Sequence, residues 1–471
     1  MKLARFAPRF ALVSLSALAL SACAAGPDYV APIAPAAASG PFLSQSPAVA
    51  AAPVAADWWK LYNDPVLDGL IDDALKANTD IRVAVAHLEK ARAALSGARA
   101  DRLPQAGLGA GATYGRVPVT QRAPGAPQED WSVDAGLNVS YEVDLFGRVK
   151  RNVEAARGDW QAAEADADAV RIAVIADTTR AYADAASGAA RLKVARHIVD
   201  LLDQLVDLTQ RRHAAGFATQ LDEARVLTLR DQRAADIPAL EAERQAALFR
   251  LATLTGRAPA QLPEIAAQRS IGLEVTQALP VGDGAALLAR RPDIRAAERR
   301  LAGDTARIGV ATADLYPKIS LGGSVGSTGP NIADAFGAGP LRWLLGPLIS
   351  WNLNPSATRA RIAGAKADSQ AALATFDGTV LNALQETETA LSTYARTLDR
   401  RRSLLSARNF AEQAAKVARA QQREGAIDGL QLLDTERTFS EAEAALALQD
   451  SLVSAAQIDL FRALGGGWAK S

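Results

Sequence analysis

Residues 131–145 read WSVDAGLNVSYEVDL, and in this stretch apolar or small side chains alternate with polar side chains or glycine. A period of two residues places alternate side chains on opposite faces of a β-strand, so one face is apolar and the other is wettable. Residues 147–213, which follow almost directly, are rich in Ala, Glu, Asp and Arg and contain no proline. A continuous helix over that length would be about 100 Å long. The fold therefore has to join a membrane-type strand to a very long helix.

The composition argues against several classes of function. The 471 residues include 52 basic and 52 acidic side chains, so the net charge is zero and nothing indicates nucleic-acid binding. The three histidines, His87, His197 and His213, are far apart and lack the spacing of metal ligands. No phosphate-binding loop or nucleophile motif stands out. The sequence therefore predicts a protein that is not an enzyme and needs no metal or cofactor.

The N-terminus has the pattern of an export signal. Three basic residues precede an apolar run at residues 10–20, which is too short to span a bilayer. Residues 20–23, LSAC, resemble the lipobox of bacterial lipoproteins, which implies cleavage after residue 22 and lipid attachment to Cys23. The alternative is an ordinary secretory signal with an incidental cysteine. By the lipoprotein rule, Ala24 after the cysteine favours the outer membrane.

The mature chain then begins with residues 23–56, which are rich in Ala, Pro, Gly and Ser. Such a composition predicts an extended lipidated tether rather than a packed domain. Because Cys23 is the one cysteine in the sequence, disulfides within the chain are impossible. No later apolar run approaches the ~18 residues of a transmembrane helix, so any crossing of the membrane must use strands.

The rest of the chain contains an internal repeat. The tripeptide DIR at residues 80–82 recurs at residues 293–295, and further on Gly216 matches Gly425 at a spacing of 209 residues. Two tandem copies of roughly 200 residues are therefore predicted. The predicted divisions are a signal peptide (1–22), a tether (23–56), a first repeat (57–256), a linker (257–283) and a second repeat (284–471).

Each copy predicts a β-hairpin, then a very long helix, a glycine break and a returning helix. The predicted strands are residues 103–117, 131–145, 316–328 and 342–353, and the predicted long helices are residues 147–214, 219–254, 355–423 and 428–464. Leu192, Val199, Leu202 and Val206 have the spacing of a coiled-coil seam. Pro238 removes a backbone donor inside the second of these helices and predicts a kink.

Four strands per chain have a consequence for assembly. The smallest membrane barrels need about eight strands, and each unpaired edge group in lipid costs several kcal/mol. The chain must therefore lend its two hairpins to a shared barrel, and both a dimer and a trimer satisfy this condition. A soluble hairpin packed on a helix is the alternative, which the lipobox and the strand lengths disfavour.

The order and spacing of several short motifs resemble one known family. The motifs are GPDY at residues 26–29, DWW at 57–59, DP at 64–65, RRPD at 290–293 and YP at 316–317. Together with the duplication, they resemble the TolC-like outer-membrane efflux factors, in the NodT-type lipoprotein branch. The resemblance implies a mainly α-helical homotrimer with a twelve-stranded barrel in the outer membrane of a Gram-negative bacterium and a twelve-helix tunnel across the periplasm. It also implies two protein partners, a periplasmic adaptor and an inner-membrane RND-type pump.

The resemblance also assigns functional residues at the far end of the helices. Leu430 and Asp434 are expected to line a narrow periplasmic entrance, and Arg437 to form ionic links that hold it shut. The expected adaptor contacts lie at the two glycine breaks: Gly216, Phe217, Ala218, Thr219, Gly425, Ala426, Ile427 and Asp428. Without the resemblance, the same residues read as plain helix turns and an exposed Asp–Arg pair.

The function that the sequence predicts is the exit duct of a tripartite efflux pump for small amphipathic molecules. One alternative is the outer-membrane duct of a type I protein secretion system. A less favoured alternative is a periplasmic coiled-coil lipoprotein that forms no pore.

Overall fold

Long helices and one four-stranded sheet make up most of the protein in a computed structural model. The structure describes residues 24–33, 38–120, 122, 124–125, 127–333 and 341–466. The helices are α1 (Pro65–Ala77), α2 (Thr79–Ala100), α3 (Arg148–Ala214), α4 (Gln220–Ala234), α5 (Asp236–Leu254), α6 (Gly284–Arg290), α7 (Pro292–Ala313), α8 (Pro355–Arg423) and α9 (Gly429–Ala463). The strands are β1 (Val49–Ala50), β2 (Gln105–Arg116), β3 (Glu129–Val143), β4 (Leu279–Pro280), β5 (Lys318–Gly329) and β6 (Leu341–Ser350).

Two helices are exceptionally long, with 67 residues in α3 and 69 in α8. Their sequences are rich in alanine and in charged residues with high helix propensity, so few positions oppose the helical backbone. At 1.5 Å per residue each is roughly 100 Å long. None of the helices in the described part of the chain is long and apolar enough to cross a membrane.

The segment after the first glycine break is two helices rather than one. Helix α4 ends at Ala234 and α5 begins at Asp236, so the predicted helix over residues 219–254 is interrupted at Ala235. Pro238 lies in the first turn of α5, where a proline does not remove a hydrogen bond that the helix would otherwise make. The proline therefore sets the start of a new helix, and the break lies just before it.

The chain divides into two units, and the first comprises residues 1–32, 87–164 and 296–377. It contains the antiparallel sheet, whose strand order is β2-β3-β5-β6. Leu137 of β3 lies opposite Leu108 of β2 and Val325 of β5, and Val325 lies opposite Trp343 of β6. Because residues paired in this way share a face, one apolar face continues across all four strands. Strands β2 and β6 each have a single neighbour and form the edges.

Residues 24–32 pack within this first unit. The backbone N–H of Ala25 donates to the carbonyl of Phe146 at 2.9 Å. The side chain of Arg151 is 5% exposed and binds Asp28 at 2.6 Å and Glu154 at 2.8 Å. This contact holds the pKa of Asp28 below its usual range, so the pair is charged at neutral pH. Cys23 lies outside the described residues.

The second unit comprises residues 33–86, 165–295 and 378–471, and it holds the main hydrophobic core. Trp58 is fully buried and stacks on Phe461, with ring centroids 4.6 Å apart and planes 15° from parallel. Asp64 is also buried, where it accepts a hydrogen bond from Tyr182 at 3.0 Å and pairs with Arg269 at 2.8 Å. This core joins α1, α3 and α9 to the residues that precede α1.

Part of the predicted tether belongs to this core. Phe42 is buried, the backbone N–H groups of Leu43 and Ser44 donate to the carboxylate of Glu388 at 2.6 and 3.0 Å, and β1 pairs with β4. Residues 38–56 are therefore packed on the second unit, which differs from the free tether that their composition predicts. The reason is that backbone groups make these contacts, and composition does not report backbone pairing.

Replacing Trp58 tests the importance of this core. Trp58→Ala should destabilise the protein by about 3–5 kcal/mol, because a fully buried aromatic leaves a cavity. The shift is measurable as a lower midpoint of thermal unfolding followed by circular dichroism. Trp59→Ala is the matched control, since Trp59 is only partly buried beside the same core. Equal midpoints for the two variants would contradict this assignment.

Candidate functional site

The first hairpin tip is the turn between α3 and α4. Gly216 has a φ of +79°, and two hydrogen bonds close the end of α3, from Gly216 N–H to His213 O and from Phe217 N–H to Arg212 O. This pair of bonds is a Schellman motif, which requires a left-handed residue and explains the glycine. A side chain at Gly216 would meet nothing within 4 Å, so the backbone angle alone demands glycine there.

Helix α4 then starts with a reciprocal cap. Thr219 accepts a hydrogen bond from the Asp222 N–H at 3.2 Å, and the Asp222 carboxylate accepts one from the Thr219 N–H at 2.9 Å. The Thr219 hydroxyl, which donates to the Asp222 carboxylate at 2.7 Å, and the Thr219 N–H together lower the pKa of Asp222, so the carboxylate that completes the cap is charged at neutral pH. Phe217, between the two caps, is 76% exposed. The tip is therefore a defined turn that presents an aromatic side chain to its surroundings.

The second tip, between α8 and α9, has the same construction. Gly425 has a φ of +72°, and the Ala426 N–H donates to Gln421 O at 2.8 Å. Asp428 caps α9 by accepting from the Gln431 N–H at 2.8 Å. Ile427 is half-buried between these two caps. Both predicted tips thus fall on glycine-closed turns of a helical hairpin.

The two tips lie beside each other within the second unit. Leu433 of α9 packs against Ile198 and Leu202 of α3 and Leu229 of α4. A small cavity of about 40 Å³ at this position is lined by residues of both tips, including Phe217 and Leu430. The predicted adaptor contacts at both tips therefore lie close in space to Leu430, the first of the predicted entrance residues.

The predicted entrance residues share one face of α9. Leu430 is 50% exposed, and the side chains of Asp434 and Arg437 are 67% and 56% exposed. Arg437 Nη2 donates to Asp434 Oδ1 at 2.8 Å, so the pair forms within a single chain. Such an exposed i, i+3 pair stabilises a helix by only a few tenths of a kcal/mol. The Asp434–Arg437 pair places a carboxylate and a guanidinium side by side on the exposed face of α9.

A second ion pair lies on the opposite side of the same turns, and sequence reasoning missed it. Glu436 is 7% exposed and binds Arg419 of α8 with Oε1 at 2.5 Å and Oε2 at 2.7 Å. Nearby, Arg408 binds Glu412 at 2.6 Å and lies 3.5 Å from Glu443. The sequence does show opposite charges on the two helices that flank Gly425. It does not show which residues of α8 lie beside which residues of α9, so the pair could not be identified.

The histidines do not gather into a site. His213 contacts Glu223 at 3.0 Å across the first hairpin, and His197 lies a few turns away on α3. Among the residues that the structure describes, no group of three potential metal-ligating side chains occurs.

The comparison with protein families is decisive. The model of the outer membrane efflux protein family matches residues 70–257 and 285–466. The chain belongs to this family. The match confirms the resemblance to TolC-like efflux factors and the predicted role as an outer-membrane efflux channel. It covers most of the chain, including both hairpin tips and the candidate entrance.

Individual relatives agree with the family assignment. The chain is 34% identical over 460 residues to the outer membrane protein OprJ of Pseudomonas aeruginosa, covering 96% of this chain and 95% of that protein. It is 30% identical to Nodulation protein T of Rhizobium leguminosarum bv. trifolii, covering 91% of each. Among solved structures, the outer-membrane channel OprN matches with a TM-score of 0.88 and 37% identity, over 95% of this chain and 100% of that one.

Proposed function

We propose that this chain is the exit duct of a tripartite efflux pump and conducts small amphipathic molecules passively across the periplasm and outer membrane. The observation that carries the proposal is the sheet β2-β3-β5-β6, which has an apolar face and two unpaired edges. The side chains of Trp343, Leu345 and Ile349 on β6 are 74%, 77% and 70% exposed in the single chain. An apolar face of this size suits contact with lipid.

The edges of this sheet call for other copies of the chain. An open edge in lipid leaves backbone N–H and C=O groups unpaired, so β6 of one chain has to pair with β2 of the next. Three copies give the twelve-stranded barrel that the family resemblance implies, with four long helical segments per chain forming a twelve-helix tunnel. On α8, Phe410 and Val417 are 70% and 50% exposed and lie seven residues apart, which suits packing against a helix of a neighbouring copy.

The mass of the solubilised complex tests this assembly. The complex in detergent should have three times the mass of one processed, lipidated chain, after correction for bound detergent, where 49.3 kDa is the mass of the unprocessed 471-residue chain. The measurement is light scattering or native mass spectrometry of the full-length protein. Twice the chain mass would instead indicate an eight-stranded barrel, and a single chain would contradict a shared barrel altogether.

The N-terminus supports a lipid anchor at the membrane end. The proposed acyl group on Cys23 precedes Ala25 by two residues, and Ala25 is bound to Phe146 at the junction between β3 and α3. The Arg151–Asp28 pair holds the next residues on the start of α3. A lipid on Cys23 would therefore lie close to the end of the sheet, at the surface of the outer membrane.

The tips of the helical hairpins would hold the entrance and meet the partners. In a trimer, three copies of Leu430 would form an apolar ring and three copies of Asp434 a carboxylate ring, which are the elements of a cation-sensitive constriction. The role of Arg437 in holding the ring closed rests on the family resemblance, since within the single chain Arg437 binds Asp434 of the same helix. The exposed Phe217 and the two capped turns suit contact with a periplasmic adaptor, and an inner-membrane RND-type pump would supply the energy.

Single-channel recordings test the entrance. Asp434→Ala should raise the divalent-cation concentration needed for half-block by roughly tenfold, because three carboxylates are lost from the constriction. The measurement uses the full-length protein in planar bilayers. Asp399→Ala is the matched control, since Asp399 is an exposed aspartate of α8 that forms ion pairs with Arg396 and Arg402 of the same helix. An unchanged half-block in Asp434→Ala would remove this residue from the constriction.

Drug sensitivity tests the function itself. Deleting the gene should increase the sensitivity of the cell to small amphipathic antibiotics or solvents, and the wild-type gene should restore resistance. The measurement is the minimum inhibitory concentration over a broad panel of compounds. Unchanged sensitivity, accompanied by loss of an exported protein from the culture medium, would favour a protein secretion duct instead.

A further inference from the structure

The first two turns of α9 have an exposed side, which carries Asp434, and a buried side, which carries Glu436. With a rotation of about 100° per residue, Glu436 lies roughly 200° around the helix from Asp434. The burial agrees with this geometry, since Asp434 is exposed and Glu436 is 7% exposed. Whatever fixes the rotation of α9 at Glu436 therefore also fixes the direction of the exposed entrance residues.

The contact between Arg419 and Glu436 is directional. Both oxygens of the Glu436 carboxylate accept hydrogen bonds from the guanidinium, at 2.5 and 2.7 Å. A two-point contact of this kind specifies an orientation as well as a distance. The Arg419 guanidinium also lies 5.9 Å from the centre of the Phe439 ring, one turn further along α9. Arg419 thus holds two successive turns of α9 against α8.

Neighbouring charges support this contact. The Arg408 guanidinium lies 5.7 Å from the same Phe439 ring and pairs with Glu412 and Glu443. Phe439 is 5% exposed, so these cations cover an aromatic side chain that is already packed. The cluster links α8 and α9 through oriented polar contacts over about two turns.

We infer that Arg419 and Glu436 are positioning residues of the periplasmic entrance, an inference that rests on the proposed function. Their contact, in which Glu436 is buried and the Arg419 side chain is 36% exposed, sets the rotation of α9 on α8, so Leu430 and Asp434 face the same direction in every copy. The pair Arg437–Asp434 cannot set this rotation, because both of its members belong to α9. Leu432 and Leu433 make apolar contacts, which are not directional and therefore restrict the rotation of α9 less than the two-point contact does.

Opening of the entrance would then move the α8–α9 hairpin as one body. Separation of α9 from α8 would break both hydrogen bonds between Arg419 and Glu436, which are charge-assisted and therefore stronger than neutral ones. Loss of the contact should let α9 rotate and disorder the closed arrangement. The expected phenotype is a channel that is open more often, rather than one that is blocked.

Charge-neutral and charge-reversed variants test this assignment in the full-length channel. Glu436→Gln should raise the open probability in planar bilayers by roughly tenfold, because a neutral amide cannot make the charge-assisted two-point contact with the Arg419 guanidinium. Arg419→Lys, which keeps the charge but cannot make the forked contact, should raise it by a smaller factor. The double variant Arg419→Glu with Glu436→Arg should return the open probability towards that of the wild type.

Asp399→Asn is the control, since it removes a carboxylate charge from an exposed ion pair on α8, and it should leave the open probability unchanged. The mass of each complex and its thermal midpoint show whether a variant is assembled. Assembled Glu436→Gln and Arg419→Lys channels with the wild-type open probability would overturn the inference, even if their midpoints fell. A wild-type protein that does not conduct would overturn the proposed function, and the inference with it.

Discussion

The unpaired edges of the four-stranded sheet constrain everything else in this protein. Alternate residues of the edge strands β2 and β6 point their backbone N–H and C=O groups away from the sheet, and in a membrane the solvent supplies no partner for them. The apolar face across all four strands suits lipid better than water. Under the proposed function, both conditions are met when the chain forms one part of a larger closed wall.

The helices meet a different requirement, because they have to be long without being strongly apolar. Helices α3 and α8 combine many alanines with charged side chains, so neighbouring helices approach closely while much of their surface stays wettable. Their ends are set by backbone geometry, since Gly216 and Gly425 adopt left-handed angles that close each helix with a Schellman motif. The length of the conduit is thus determined at two glycines per chain.

These features explain which parts of the fold the sequence could predict. The alternation at residues 131–145 and the glycine breaks are local signals, and the structure has β3 at Glu129–Val143 and turns at both glycines. Pro238 indicated an interruption, which the structure places just before it at Ala235. The docking of residues 38–56 was not predictable, because it depends on backbone donors that meet Glu388 far along the chain. The contact between Arg419 and Glu436 was not predictable either, because it depends on how α8 and α9 are aligned after they pack against each other.

The location of the Arg419–Glu436 pair follows from a weakness of alanine-rich helices. Small side chains allow close packing but provide few ridges, so one helix can rotate or slide on another with little change in buried area. Towards the C-terminal end of α9, the stacking of Phe461 on Trp58 already fixes the direction that the helix faces. At the proposed entrance the direction matters as well, since Leu430 and Asp434 would form rings only if every copy had the same rotation. The two-point contact between Arg419 and Glu436 supplies an orientation there, beside the proposed entrance residues and far along α9 from Phe461.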